Sequence, residues 1–335
     1  MSKTANRSAR ALPVMASDRV GWKLPGIPMG VQWTLLFFLP LVAAAYCLWT
    51  KLGAIASEEW QWQIHSAALL GAVLLMPVNW GLECFKWAEL LPWAPMRRRI
   101  REVLYGTAWS LIGPFRLGAG IGRVAAVQTR EKNMAMRAFA TSCVSQWWCT
   151  ITASGIGLLF FGLWWAGATV LLISAATIGL YLGWTPRFWA TFKATPLCGN
   201  WGLTRRIATI RRKRALNLSI ARYVVMLTQF VLMLNAFGHL GSVIHSVERF
   251  LDQAQGASLT WGLTSLAPMP AFGDLGLREA AAVLAIPAPT PADLTAIIGA
   301  TLGLWVLNVF LPAMVGLIWQ GTHRRRLQKG ANLGA

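Results

Sequence analysis

The feature that most constrains this chain is the recurrence of apolar runs long enough to cross a lipid bilayer. A transmembrane helix needs about 20 predominantly apolar residues. Here 56% of the 335 residues are hydrophobic and only 13% are charged, about half the charged share of a soluble domain. The pattern predicts an all-α polytopic membrane protein and excludes a disordered chain or a small disulfide-stapled domain. Six segments are long and apolar enough to span, at 31–50, 62–82, 138–163, 165–185, 216–238 and 295–319.

Two further apolar segments, 103–127 and 259–286, are interrupted by prolines and glycines. Proline removes a backbone donor from a helix, and glycine loosens the backbone. We therefore expect neither segment to be a continuous span. Each is predicted to enter and leave the membrane on the same side, as a re-entrant hairpin.

The distribution of basic residues favours this topology. With two re-entrant hairpins, 25 of the 31 Lys and Arg residues face one side, and only Lys51 and Arg249 face the other. If both hairpins crossed instead, loops 128–137 and 186–215 would move outside with eleven basic residues, against the positive-inside tendency. The chain is thus predicted to have six spans with both termini in the cytoplasm, as a multi-pass protein of the cytoplasmic (inner) membrane. The predicted parts are a basic cytoplasmic segment at 1–30, one transmembrane domain at 31–320 and a basic cytoplasmic tail at 321–335.

The same topology contains an inverted repeat. Halves 31–163 and 165–319 each run span, span, re-entrant hairpin, span, but they start from opposite sides of the membrane. This is the plan of many secondary transporters. The hairpins also share a spaced Pro, Gly and Arg pattern, formed by Pro114, Gly118 and Arg123 in the first and by Pro268, Gly273 and Arg278 in the second.

Each hairpin is predicted to restart as a short helix whose N-terminus points toward the bilayer interior. Free N–H groups at a helix N-terminus favour an anion, and a buried arginine keeps its charge and can bind phosphate. Charged groups at membrane depth are costly, so they are candidates for function. The predicted substrate-binding residues are Pro114, Arg116, Gly118, Arg123, Gly273, Asp274, Arg278 and Glu279.

Structural roles for the same residues are an alternative. Asp274 can cap the second short helix. Pairs such as Arg123 with Glu279, or Arg116 with Asp274, can simply tie the two hairpins together.

The end of the second predicted span carries two more charged candidates. Glu83 and Lys86 are three residues apart and can pair on one helix face, or contact a headgroup at the interface. Arg222 lies about two turns inside its span, where it can snorkel to the cytoplasmic interface, and we assign it no role.

No catalytic pattern is present. The sequence has no Gly-x-Ser-x-Gly, Walker or His-Glu-x-x-His motif, and no Cys or His spacing suits a metal ion. We therefore predict neither an enzyme nor a bound cofactor. The net charge of +19 is explained by loops that face anionic lipid headgroups, so no nucleic-acid partner is expected.

Three sequence motifs resemble the transmembrane region of the lysylphosphatidylglycerol synthases, a family also called flippase-like. The resemblance covers about 30–320, and its motifs lie at 79–87, 113–123 and 270–279. It implies a membrane domain that handles lipids, without the soluble domain that transfers the aminoacyl group. Phe115 and Ala119 depart from the family, which often has a polar residue and a glutamate at these positions.

Two functional hypotheses follow. The first is a lipid translocase that binds a phosphate-bearing headgroup between the hairpins, with an anionic or zwitterionic phospholipid or a lipid-linked compound as its substrate. The second is a non-transporting accessory or scaffold protein for a membrane enzyme that modifies lipids or glycans, docked through loop 186–215 and the tail. A membrane-embedded transferase has the least support, because no nucleophile or acid–base pair stands out.

Overall fold

The computed structural model describes Val42, Tyr46 and residues 64–111, 117–182, 207–238, 247–266, 274–288 and 290–320. The first predicted span, the termini and most of loop 186–215 lie outside this part of the chain. The described part is helical. Its helices are α1 Ser66–Leu90, α2 Met96–Ser110, α3 Leu117–Ala126, α4 Lys132–Phe160, α5 Trp164–Leu182, α6 Thr209–Ala236, α7 Val247–Leu266, α8 Asp274–Ala285 and α9 Pro291–Gln320.

Four helices, α1, α5, α6 and α9, are long and apolar enough to cross a membrane. They correspond to four of the six predicted spans, so the chain has the character of a multi-pass membrane protein. The fifth prediction, 138–163, falls within α4 except for its last three residues. This helix has 29 residues and is long enough to span, but it is not among the four, because several Ser and Thr residues lower its hydropathy.

Local sequence explains how α9 begins and where its α-helical hydrogen-bonding pattern changes to a π-helical turn. Thr290 caps the helix in a reciprocal capping box with Asp293, and a proline occupies the first turn. A π-helical turn occupies Val306–Phe310. Pro312 follows this turn. A proline has no N–H to donate to the carbonyl four residues earlier, which here belongs to Asn308, so the regular α-helical ladder is interrupted at this point.

Helices α1 and α6 run antiparallel and contact each other along their length. The backbone N–H of His65, at the start of α1, donates to the carbonyl of Ala236 at the end of α6 (2.8 Å). At the opposite ends, Glu89 of α1 pairs with Arg214 of α6 (3.1 Å). The end of α1 and the start of α6 therefore lie on the same side of the bundle.

Each interrupted segment forms a pair of packed helices. Helix α2 packs against α3, and α7 packs against α8. Arg98 at the start of α2 pairs with Glu131 just before α4 (2.7 Å), so the first pair begins and ends on the same side of the bundle. The order of helix, helical pair and helix thus occurs twice, as α1, α2–α3 and α4 and again as α6, α7–α8 and α9.

The first helix of each pair also packs against the other half of the chain. The hydroxyl of Ser154 in α4 donates to the carbonyl of Ser258 in α7 (2.8 Å). In the corresponding position, Gln320 of α9 donates to the hydroxyl of Tyr105 in α2 (2.9 Å). These exchanged contacts join the two halves around a core formed by α1, α4, α6, α7, α8 and α9.

Candidate functional site

Helix α1 continues two turns beyond the end of the predicted span at residue 82, because no helix-breaking residue intervenes before Leu91-Pro92. The continuation carries Glu83 and Lys86, which are 5% and 1% exposed. Together with Asn79 they lie three and four residues apart on one buried face of the helix. The predicted pair is confirmed, since the Lys86 ammonium lies 2.9 Å from a Glu83 carboxylate oxygen.

The Glu83 carboxylate holds three cations at once. Its Oε1 accepts from Nη2 of Arg123 (2.8 Å). Its Oε2 accepts from Nη1 of Arg222 (2.8 Å) and also faces Nζ of Lys86. We call Glu83, Lys86, Arg123 and Arg222 the cation cluster. It links α1, α3 and α6, and so it draws residues from both halves of the chain.

Close packing of α2 against α3 positions Arg123 in this cluster. A Cβ atom at Gly106 would lie 2.5 Å from Cγ of Arg123 and 2.6 Å from the backbone oxygen of Ala119, so only glycine permits this approach. The Arg123 guanidinium stacks over the Trp87 ring (5.1 Å to the centroid), a cation–π arrangement. Trp87 is fixed in turn by a hydrogen bond from its indole N–H to Glu102 (2.8 Å).

The expectation that Arg222 reaches the cytoplasmic interface is wrong. Its side chain is 20% exposed and points into the bundle. There it donates from Nε to Asn79 (2.9 Å) and from Nη1 to Glu83 and Gln146. The sequence could not reveal this, because the partners of Arg222 lie on α1 and α4, far away along the chain.

The cation cluster carries an excess of positive charge. Three cations face one carboxylate, an excess of two charges, and no second acidic side chain pairs with them within the described ranges. Nε of Arg123 is buried and lacks a hydrogen-bond partner among the described residues. A buried excess of like charge is unfavourable unless an anion neutralises it, so the cluster has both the charge and a free donor for an anion.

The second helical pair holds a separate set of charges. The Asp274 carboxylate accepts from Arg278 four residues later, and both side chains are buried. The Glu279 carboxylate accepts from the backbone N–H of Gly276 (2.5 Å), as in half of a capping box. Glu279 thus caps the helical turn that restarts after the left-handed Gly276, whose φ is +84°.

The predicted site residues therefore fall into two groups rather than one. Arg123 joins Glu83 and Lys86, whereas Asp274, Arg278 and Glu279 form their own cluster. The alternative tie between Arg123 and Glu279 is not formed, because Arg123 pairs with Glu83 instead. Gly118 is buried on α3. Pro114, Arg116 and Gly273 lie outside the described residues.

Metal binding has no support in the part of the chain that the structure describes. No group of three or more His, Cys, Asp or Glu side chains lies close enough together there to hold an ion.

Comparison of the chain with protein-family models, with curated proteins and with solved structures found no match.

Proposed function

We propose that this chain is a lipid translocase of the cytoplasmic membrane, in which the phosphate of a lipid headgroup binds at the cation cluster. One observation carries the proposal: three cations, of which Lys86 and Arg123 are buried and Arg222 is 20% exposed, share a single carboxylate at a helix crossing within the membrane domain. Charged side chains at this depth are costly and are usually retained for function.

A phosphate is the anion that best suits this cluster. Arginine presents several N–H donors in a rigid plane that fits phosphate oxygens, and Arg123 keeps one buried donor without a partner among the described residues. A phosphodiester brings one negative charge and reduces the excess of positive charge from two to one. The acyl chains of the lipid would remain in the bilayer beside the bundle.

Movement of the headgroup across the membrane is supported by the arrangement of the two halves. We propose that the α2–α3 and α7–α8 pairs are re-entrant hairpins of an inverted repeat. Helix α2 has 15 residues, about 22 Å at 1.5 Å per residue, which is too short to cross a hydrocarbon core of about 30 Å. The antiparallel packing of α1 and α6 is what an inverted repeat requires of equivalent helices.

The cation cluster also lies where the two halves can exchange contacts during transport. Glu83 belongs to the first half and Arg222 to the second, and their ion pair joins the halves directly. A headgroup phosphate that competes with Glu83 for Arg222 would loosen this connection. Binding would then be coupled to movement of one half against the other, as in alternating access.

The family resemblance adds a further argument of its own. Glu83, Lys86 and Trp87 come from the first motif and Arg123 from the second. Glu83 and Trp87 contact the Arg123 guanidinium, and Lys86 pairs with the same Glu83 carboxylate. Residues that a lipid-handling family would share are thus assembled into one cluster. We propose membership of the flippase-like family on this basis.

Leaflet exchange of fluorescent phospholipids in proteoliposomes tests the proposal. The protein should accelerate exchange over empty liposomes, and the double variant Arg123→Gln, Arg222→Gln should abolish the acceleration. Arg214→Gln is the matched control, because it removes the same charge from α6 at a side chain that is 62% exposed. Exchange no faster than in empty liposomes, with correctly folded protein, would refute a translocase.

A non-transporting accessory protein is the second candidate. It is favoured by the basic residues at the start of α6, where Lys213 and Arg214 are exposed and belong to the predicted basic docking loop 186–215. Copurification with one membrane enzyme at a fixed stoichiometry, together with no lipid exchange, would support this function over translocation.

A further inference from the structure

A file of uncharged amide side chains leads away from the cation cluster into the bundle. Asn79, which accepts from Arg222, donates through Nδ2 to Oδ1 of Asn308 (2.6 Å). Asn308 donates in turn to Oε1 of Gln229 (2.8 Å), and Gln229 donates to the carbonyl of Ala72 (2.8 Å). We call Asn79, Asn308 and Gln229 the amide file.

The cation cluster and the amide file together extend over much of the membrane thickness. From Ala72 to Lys86 the helix α1 rises by about 21 Å at 1.5 Å per residue, roughly two-thirds of a hydrocarbon core of about 30 Å. Asn79 and Gln229 are 1% and 0% exposed. Asn308 lies in the π-helical turn of α9, a type of distortion that is frequent at functional sites.

The chemistry of this file differs from that of the cluster. Each primary amide offers both donors and acceptors, which is what a hydroxyl group needs, because a hydroxyl also donates and accepts. An ammonium group needs a carboxylate or an aromatic cage instead. Among the described residues, Glu83 is the one acidic side chain in the cation cluster and the amide file. Its carboxylate already faces three cations, so it is not free to bind an ammonium group.

We infer that the substrate of the cation cluster and the amide file is a lipid with an anionic, hydroxyl-bearing headgroup, such as a glycerol or sugar phosphate, rather than one with an ammonium group. This inference rests on the proposed function and names its substrate class. The phosphate binds at Arg123 and Arg222, and the headgroup hydroxyls hydrogen-bond along Asn79, Asn308 and Gln229. An ammonium headgroup is disfavoured, because it would bring a fourth positive charge into a region that has an excess of two.

The selectivity of leaflet exchange by the wild-type protein is the primary test. Phosphatidylglycerol and phosphatidylethanolamine with the same fluorescent acyl chain are compared in phosphatidylcholine vesicles. The protein-dependent rate should be at least about tenfold higher for phosphatidylglycerol, since the juxtaposition of like charges in a desolvated site lowers affinity by more than about tenfold. Aminoacylated phosphatidylglycerol, which the family resemblance would favour, should be exchanged as slowly as phosphatidylethanolamine.

Two variants connect the selectivity to the amide file. Asn308→Asp supplies the missing carboxylate and should raise the relative rate for phosphatidylethanolamine by about tenfold. Asn133→Asp, which adds the same charge at an exposed position at the start of α4, should leave the ratio unchanged. Gln229→Leu removes hydroxyl partners without adding charge, and should slow phosphatidylglycerol while the slow rate for phosphatidylethanolamine stays the same.

A separate measurement distinguishes the lipid from the free polyol phosphate that shares its headgroup chemistry. Uptake of radiolabelled glycerol 1-phosphate into the same vesicles should not exceed that of empty vesicles, and uptake above this level would overturn the assignment to a lipid. Equal exchange of phosphatidylglycerol and phosphatidylethanolamine would overturn the selectivity but leave the translocase. Exchange of neither lipid would overturn the translocase and the selectivity with it.

Discussion

Arg222 on α6 donates from Nη1 to a Glu83 carboxylate oxygen on α1 at 2.8 Å, across an interface between the two halves of the chain. The two residues belong to helices that run antiparallel and are separated by 139 positions in the sequence. Their contact places a carboxylate where it faces Arg123 and Lys86 as well. One glutamate thereby fixes three elements around a region with an excess of positive charge.

Removal of this carboxylate should be strongly destabilising. We expect Glu83→Gln to lower the free energy of unfolding by about 3–5 kcal/mol, because it leaves three cations, two of them buried, without a counter-charge. Glu89→Gln is the control on the same helix. Its partner Arg214 is largely exposed, so the loss there should stay below about 1 kcal/mol. Denaturant titration of both variants in detergent measures the difference, and similar losses would show that Glu83 does not hold the cluster together.

The close approach of α2 and α3 should depend on Gly106. A Cβ atom there meets a backbone oxygen at 2.6 Å, so Gly106→Ala must push α3 and Arg123 away, at a cost of about 1–3 kcal/mol in stability. Gly81→Ala adds the same methyl group on α1, where nothing lies within 4 Å. That control should be neutral or slightly stabilising, because alanine is the better helix former. Thermal unfolding that is equally affected by both variants would contradict this account of the packing.

Asn79 and Asn308 should be energetically coupled. In a double-mutant cycle with alanine at both positions, we expect a coupling free energy of about 0.5–1.5 kcal/mol, the range measured for hydrogen bonds between membrane helices. Strictly additive effects on unfolding would show that the 2.6 Å contact contributes nothing to the amide file. Thr169 lies on the exposed face of α5 and serves as the control. Alanine substitutions at Asn79 and Thr169 should have additive effects on the free energy of unfolding.

The left-handed backbone at Gly276 makes a prediction about the second helical pair. A residue with a side chain pays about 1–2 kcal/mol to adopt this conformation, so Gly276→Ala should destabilise the start of α8 by that amount. Nothing lies within 4 Å of the added methyl group, so the cost comes from the backbone alone. Gly276→Asn should recover part of it, because asparagine tolerates this region better than alanine. Equal unfolding midpoints for the two variants would argue against backbone strain as the cause.

The membrane topology can be checked by labelling single cysteines in a cysteine-free background. Lys213→Cys at the start of α6 should react with a membrane-impermeant maleimide only from the cytoplasmic side. Leu163→Cys, in the exposed turn between α4 and α5, should react only from outside. Reaction of Lys213→Cys from outside would reverse the predicted orientation and remove a premise of the inverted repeat.

Local pattern predicted the helices but not always their limits. The apolar runs indicated α1, α5, α6 and α9, because burial in lipid imposes a length and a hydropathy on each helix separately. The same criterion ended the predicted span at residue 82, just before Glu83, because a charged residue lowers the mean hydropathy of every sequence window that contains it. The helix nevertheless continues, because Glu83 is neutralised by residues that a window along the sequence does not include.

Pairing between distant charges was beyond the reach of the sequence. The spacing of Glu83 and Lys86 on one helix face predicted their contact correctly, because a helix fixes the geometry of residues three apart. Arg123 and Arg278 were expected in one substrate-binding site between the hairpins, yet each pairs with a different acidic residue. Arg222 was assigned no role, yet its guanidinium pairs with Glu83 in the cation cluster.

The sequence by itself determined that this protein is a bundle of apolar helices with two interrupted segments and with a few charged residues among them. These properties follow from the composition and period of each segment, which are local. Only the tertiary structure decided which charges meet and that three cations share the single carboxylate of Glu83. The physical reason is that an ion pair depends on the distance between two atoms, and for residues on different helices that distance is set by how the helices pack, not by their separation along the chain.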